Sequence, residues 1–127
     1  ARDGWKYLVE DVKHLTDLMQ RRYPDLPYFL LGHSMGSLIA RLYLLCELCL
    51  PFVRTGGVFL AMKGPDCAAE LDEARSAIRK LGGTYERTTR YTIPGTDVTH
   101  SVVVIRKTAP TPPKYPRRWA KMQKEHL

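Results

Sequence analysis

At 127 residues, with 44% hydrophobic and 26% charged residues, the chain is sized for one soluble domain with a real core and is too short for a hydrolase built on an eight-stranded sheet. Its formal charge of +7 sits in one part: residues 1 to 50 hold six Lys/Arg against six Asp/Glu, whereas residues 51 to 127 hold fourteen against seven. No apolar run approaches the ~20 residues of a membrane span, and the basic part suits a polyanion, nucleic acid first and an acidic membrane surface second.

In chain order, Trp5, Leu8, Val9, Val12, Leu15, Leu18 and Met19 recur at helical spacing, so residues 4 to about 22 are predicted as an amphipathic helix with one face in the core. Ala1 opens inside this pattern without a basic-then-apolar leader, which leads us to expect no signal peptide and a piece trimmed from a longer chain. Tyr28 to Leu31 reads as a short buried strand, and Met35 to about Cys49 as a helix apolar on most sides and ended by Pro51. Gly56-Gly57 turns into a second buried strand, Val58 to Met62. Gly64-Pro65-Asp66 then breaks the chain and offers Asp66 as a helix cap. Ala68, Leu71, Ala74, Ile78 and Leu81 mark the next helix, closed by Gly82-Gly83. Residues 84 to 93 alternate as a strand, Pro94-Gly95 turns, and Val102 to Ile105 forms a last apolar strand.

This alternation predicts an α/β domain over residues 1–107: a three-layer, Rossmann-like half-sheet of four strands, helices on both faces, the first three strands parallel and the last antiparallel. From Thr108 the pattern stops, and residues 108–127 read as a basic Pro-rich tail, expected to be mobile until it meets a partner. Cys46, Cys49 and Cys67 have no framework spacing, which favours a reducing, cytoplasmic setting without disulfides. Cys46 and Cys49 spell C-x-x-C, but in an apolar helical stretch with no second ligand pair they read as buried small side chains rather than a zinc site.

Two patterns carry chemistry. Gly32-His33-Ser34-Met35-Gly36, straight after an apolar strand, has the form of a nucleophile elbow, in which the flanking glycines relieve a sharp turn that lifts the serine hydroxyl above the sheet edge. Ser34 is the candidate nucleophile, the Met35 amide a candidate oxyanion donor, His100 a candidate base and Asp66 a candidate orienting acid. The structural alternative is an unassisted serine, a cap at Asp66 and a turn residue at His100, with His33 pointing away from the site and His14 and His126 on the surface. In the second pattern, Arg106, Lys107, Lys114, Arg117 and Arg118, with Tyr115 and Trp119 between them, suit a backbone-gripping, base-stacking RNA surface. Lys63, beside Gly64 at the sheet edge, is a further phosphate contact or else a solvated lysine.

Residues 1 to about 44, through the helix W-K-Y-L-V-E-D-V, the strand P-Y-F-L-L and the elbow G-H-S-M-G-S, resemble the monoacylglycerol lipase and lysophospholipase-like branch of the α/β-hydrolases. From about Ala40 onward, L-C-E-L-C-L-P-F-V, G-G-V-F-L-A-M-K-G, the helix running into L-G-G, the P-G turn, H-S-V-V-V-I-R-K and K-Y-P-R resemble the carboxyl-terminal half of the glucose-inhibited division protein B family. These are the small-subunit methyltransferases G, which methylate a guanine N7 in 16S ribosomal RNA. We read the chain as a chimera-like joining of the two near residue 40, hydrolase-like over 1–44 and methyltransferase-like over 45–107.

The methyltransferase resemblance implies strand order 1-2-4-3. It also implies S-adenosylmethionine as the family's cofactor, yet the glycine-rich turn that holds it has no counterpart here, so no cofactor and no metal are expected. The expected function is a recombined fragment without methyltransferase activity of its own and with weak RNA binding. The alternative is a serine esterase using Ser34.

Overall fold

The computed structural model describes residues 11, 14, 15, 17–25 and 41–127, with the side chain of Trp119 outside the description. Contacts divide the chain into two units, Ala1–Ser34 and Met35–Leu127. In the first, residues 17–22 are helical; Tyr23 N–H donates to the Met19 carbonyl at 2.9 Å, and the helix ends before Pro24. Leu15 and Leu18, expected to face a core, are each 55% exposed.

The second unit is an α/β assembly. Helix α1 (Leu42–Cys49) runs into a single 3-10 turn, Leu50–Phe52, because Pro51 fits a first-turn position yet cannot donate to a continuing ladder. Strand β1 (Val58–Lys63) follows, then helix α2 (Ala68–Lys80), strand β2 (Gly83–Thr92), strand β3 (Thr99–Lys107) and a short helix α3 (Trp119–Lys124). Gly82 closes α2 at φ +82, a left-handed conformation that a side chain resists, and a Cβ there would stand 2.2 Å from the Ala109 carbonyl oxygen. The tight β2–β3 turn uses Gly95 at φ +78, with Ile93 N–H donating to the Val98 carbonyl.

The sheet has order β1-β3-β2, and β3 is antiparallel to both neighbours. This corresponds to the last three positions of the expected order. The expected first strand, Tyr28 to Leu31, lies outside the described residues, so the architecture that stands is a three-stranded antiparallel sheet with helices. β3 is longer than the expected Val102 to Ile105, and His100 lies within it, opposite Tyr91, rather than in the hairpin turn.

One face of the sheet is the core. Alternation places Ala61 of β1 and Val103 and Ile105 of β3 on that face, where they join Leu42, Cys46, Leu50, Leu71, Ile78 and Leu81 in one buried cluster. Each large aliphatic side chain there contributes roughly 1.5–3 kcal/mol. On the other face Leu60 and Met62 of β1 are 55% and 64% exposed, and among the described residues no helix covers them. A helix face can be buried on one side of a sheet without dictating what covers the other.

The tail is docked rather than mobile. Met122 of α3 is fully buried in the same cluster, and Tyr115 packs against it. The dominant anchor is Glu47 of α1. Fully buried, it accepts hydrogen bonds from the Arg117 backbone N–H (2.8 Å) and from guanidinium Nε (2.9 Å) and Nη2 (2.9 Å). A buried carboxylate needs such donors, and a sequence scan sees only two charges 70 positions apart. No helix among the described residues is long and apolar enough to cross a membrane.

Candidate nucleic-acid interface

Ser34 and Met35, with neighbouring His33, lie outside the described residues. Asp66 and His100 are placed, each with a contact of its own. The Asp66 carboxylate turns to the start of α2, accepting from the Ala68 N–H at 3.4 Å, while Cys67 holds the N-cap position. His100 stacks on Tyr91 at 6.0 Å between ring centroids, on the sheet face away from α2. As for the paired thiols, burial holds Cys46 well above its ordinary range, with Cys49 adding to the shift, and pushes Cys49 up to about 11. Both therefore stay protonated at neutral pH, unlike thiolate ligands.

Among the residues expected to touch RNA, the structure gives four cations internal partners. Lys63, its side chain 9% exposed, pairs with Glu70 at 2.7 Å, and Glu70 also accepts from the Leu42 N–H at the start of α1. Arg106 pairs with Glu86 and donates to the Gly56 carbonyl; Glu86 reaches it from the β-bulge between Tyr85 and Arg87. Lys107 is buried, its ammonium donating to the Leu50 carbonyl and the Thr111 hydroxyl, and burial lowers its pKa. Arg117 is held by Glu47, whose hydrogen bonds raise the guanidinium pKa further. Lys63, Lys107 and Arg117 point into the fold because the alternation of the strands and the docking of the tail put them there, and a charge carried inward has to find a partner; Arg106 is paired on the exposed face, its side chain 45% exposed.

Lys114 and Arg118 remain exposed, Lys114 with its ammonium 5.3 Å above the Tyr115 ring. Tyr115 is half-buried, and Trp119 contributes the first backbone turn of α3.

Docking of the tail across α1 creates a feature invisible in the sequence. An open cleft of about 390 Å³ lies between the last turn of α2 and the tail, lined by Lys80, Lys114, Lys121, Arg117, Glu125 and His126 among others. Four cations face a single side-chain carboxylate, Glu125, which stands 3.7 Å from Arg117 and 3.9 Å from Lys121. With Arg117 committed to Glu47, the cations left to the cleft are Lys80, Lys114 and Lys121, all exposed. His126 forms one wall, stacked on Tyr43 at 4.2 Å with 29° between planes. Lys80 and His126 stand 46 positions apart, and only the fold-back of the tail brings them to one place.

Comparison with known proteins adds two findings. The family model Hydrolase_4, described as serine aminopeptidase, S33, matches residues 2–110. Ribosomal RNA small subunit methyltransferase G of Alkaliphilus oremlandii is 42% identical over 95 residues, covering 75% of this chain and 40% of that protein. Its counterpart in Clostridium tetani is 40% identical over 89 residues, covering 70% and 37%, and that in Limosilactobacillus reuteri 46% identical over 80 residues, covering 63% and 33%. The chain thus spans between a third and two fifths of the length of these relatives. A match of 95 residues within 127 has to include β1, α2 and β2, so the similarity runs through the middle of the folded unit. The chain belongs to the Hydrolase_4 family, serine aminopeptidase S33, and carries a long stretch similar to ribosomal RNA small subunit methyltransferase G.

Proposed function

We propose that this chain acts as an RNA-contacting α/β module without methyltransferase activity of its own. The observation that carries the reading is the cleft in which Lys80, Lys114 and Lys121 converge against one side-chain carboxylate. The relatives named for action on ribosomal RNA supply the class of polyanion. Phosphate groups entering the cleft displace counterions from the RNA, and this release, rather than any base contact, drives the association. The three lysines predict a slope of log affinity against log salt of about −2, at roughly −0.7 per phosphate neutralised on a single strand. Fluorescence anisotropy with a labelled oligoribonucleotide, titrated from low to physiological salt, tests this. Salt-independent binding refutes the electrostatic account, and saturable heat with S-adenosylmethionine in calorimetry refutes the exclusion of a methyl donor.

A second reading is a serine hydrolase with Ser34 as nucleophile and the Met35 amide as oxyanion donor, favoured by the family match over residues 2–110. His100, stacked on Tyr91, and Asp66, turned to α2, make no hydrogen bond to each other among the described residues, so this reading has no base held by an acid. A fluorophosphonate probe separates the two readings. The RNA-contacting reading expects little or no labelling, whereas labelling abolished by Ser34→Ala and reduced by His100→Ala establishes the esterase.

A further inference from the structure

Resting on the RNA-contacting reading, we infer that the cleft selects single-stranded over duplex RNA by holding one unstacked nucleotide, its base on His126 and its flanking phosphates on Lys114 and Lys121. Three observations combine. The volume of about 390 Å³ falls at the low end of the ~300–1,000 Å³ typical of small-ligand sites, which suits a single nucleotide; a duplex reader instead lays a broad surface across successive grooves. His126 is pinned by stacking on Tyr43, itself 4% exposed, so one face of the imidazole is anchored to the core while the exposed residue lines the cleft with the rest. A ring backed in this way is a stacking platform, because every base has a π-face and the entropy of ordering the ring is already spent. Tyr115 does not serve as the platform, since it is half-buried against the core and holds Lys114 over its ring.

That last contact places the Lys114 ammonium at the cleft rather than leaving it free to sweep solvent. Lys121, one helical turn before the Glu125 carboxylate, takes its place from α3. Cations that line the same cleft as a stacking ring are what a phosphate–base–phosphate unit requires.

The test compares a labelled single-stranded oligouridylate with a duplex RNA of equal length, using the full chain and three variants at fixed pH and several salt concentrations. The intact chain should bind the single strand at least about tenfold more tightly than the duplex, and His126→Ala should weaken single-strand binding roughly tenfold, the size of one lost base stack, with the salt slope unchanged. His126→Phe, which keeps a stacking ring and the contact with Tyr43, should restore it and controls for a folding defect. Lys114→Ala combined with Lys121→Ala should reduce the slope by about 1.4. Equal affinity for duplex and single strand, or an unaltered affinity in His126→Ala, overturns this inference while leaving RNA contact standing. Absence of salt-dependent binding to either RNA overturns the function beneath it.

Discussion

Replacing Arg117 by Met isolates the anchor on which the cleft depends. The change removes the guanidinium from Glu47 and leaves that buried carboxylate only the backbone N–H of position 117. Breaking a buried ion pair from one side costs about 3–5 kcal/mol, because the surviving charge stays desolvated. Two hydrogen bonds to a charged group, at roughly 1.5–3 kcal/mol each, lead to the same range. The tail offers an escape, however: undocking it would let water reach Glu47. The principal apolar loss would then be Met122, fully buried and worth about 1.5–3 kcal/mol.

The cheaper route wins, so we expect a loss of about 3 kcal/mol, appearing as local opening of the tail. In hydrogen exchange, the Met122 and Glu125 amides, bonded to the Arg118 and Lys121 carbonyls, should lose protection while those of β3 keep theirs. Urea denaturation measures the total. Pairing Arg117→Met with Glu47→Leu should recover most of the stability, since an apolar pair of similar volume incurs no charge burial. A single-variant loss within 0.5 kcal/mol, or a double variant as unstable as the two losses added together, refutes the reasoning.

Gly82→Ala should destabilise by about 2–4 kcal/mol, combining left-handed backbone strain with the clash against Ala109, whereas Gly95→Ala, with a similar φ but open space around it, should cost only about 1–2 kcal/mol; thermal melts of the pair separate the two terms. Cys46 and Cys49 should resist iodoacetamide at pH 8 in the native protein and react readily in denaturant, since burial raises both thiols; rapid native labelling would show that α1 does not shield them. Glu86 is held below its ordinary pKa, chiefly by the hydrogen bond from Arg106, so its contribution is present above about pH 4.3 and disappears as pH falls through the lower folded value. The stability gap between the intact chain and Arg106→Met should therefore close in acid, and a gap constant from pH 6 to pH 2 contradicts the linkage.

Local chemistry alone determined the elements of the second unit. Period-2 and period-3.6 apolar patterns, Gly82-Gly83 and Pro94-Gly95 mark β1, α2, β2 and β3 to within a few residues, and Pro51 marks the end of α1, because each is set by neighbours in the chain; the start of α1 at Leu42 falls seven residues after the expected Met35. The resemblance to hydrolases was equally legible, as was the methyltransferase-like stretch. Tertiary structure decided which charges are available. Lys63, Lys107 and Arg117 look like RNA contacts in a list of basic residues, and each is turned inward to a partner that only the fold supplies: Glu70, the Leu50 carbonyl and Glu47. Conversely, Lys80 and His126, unremarkable in the sequence, become walls of one cleft when the tail folds back across α1. Periodicity reports the direction of a side chain relative to its own element, whereas the cost of burying a charge is settled by groups tens of residues away, which no local pattern records.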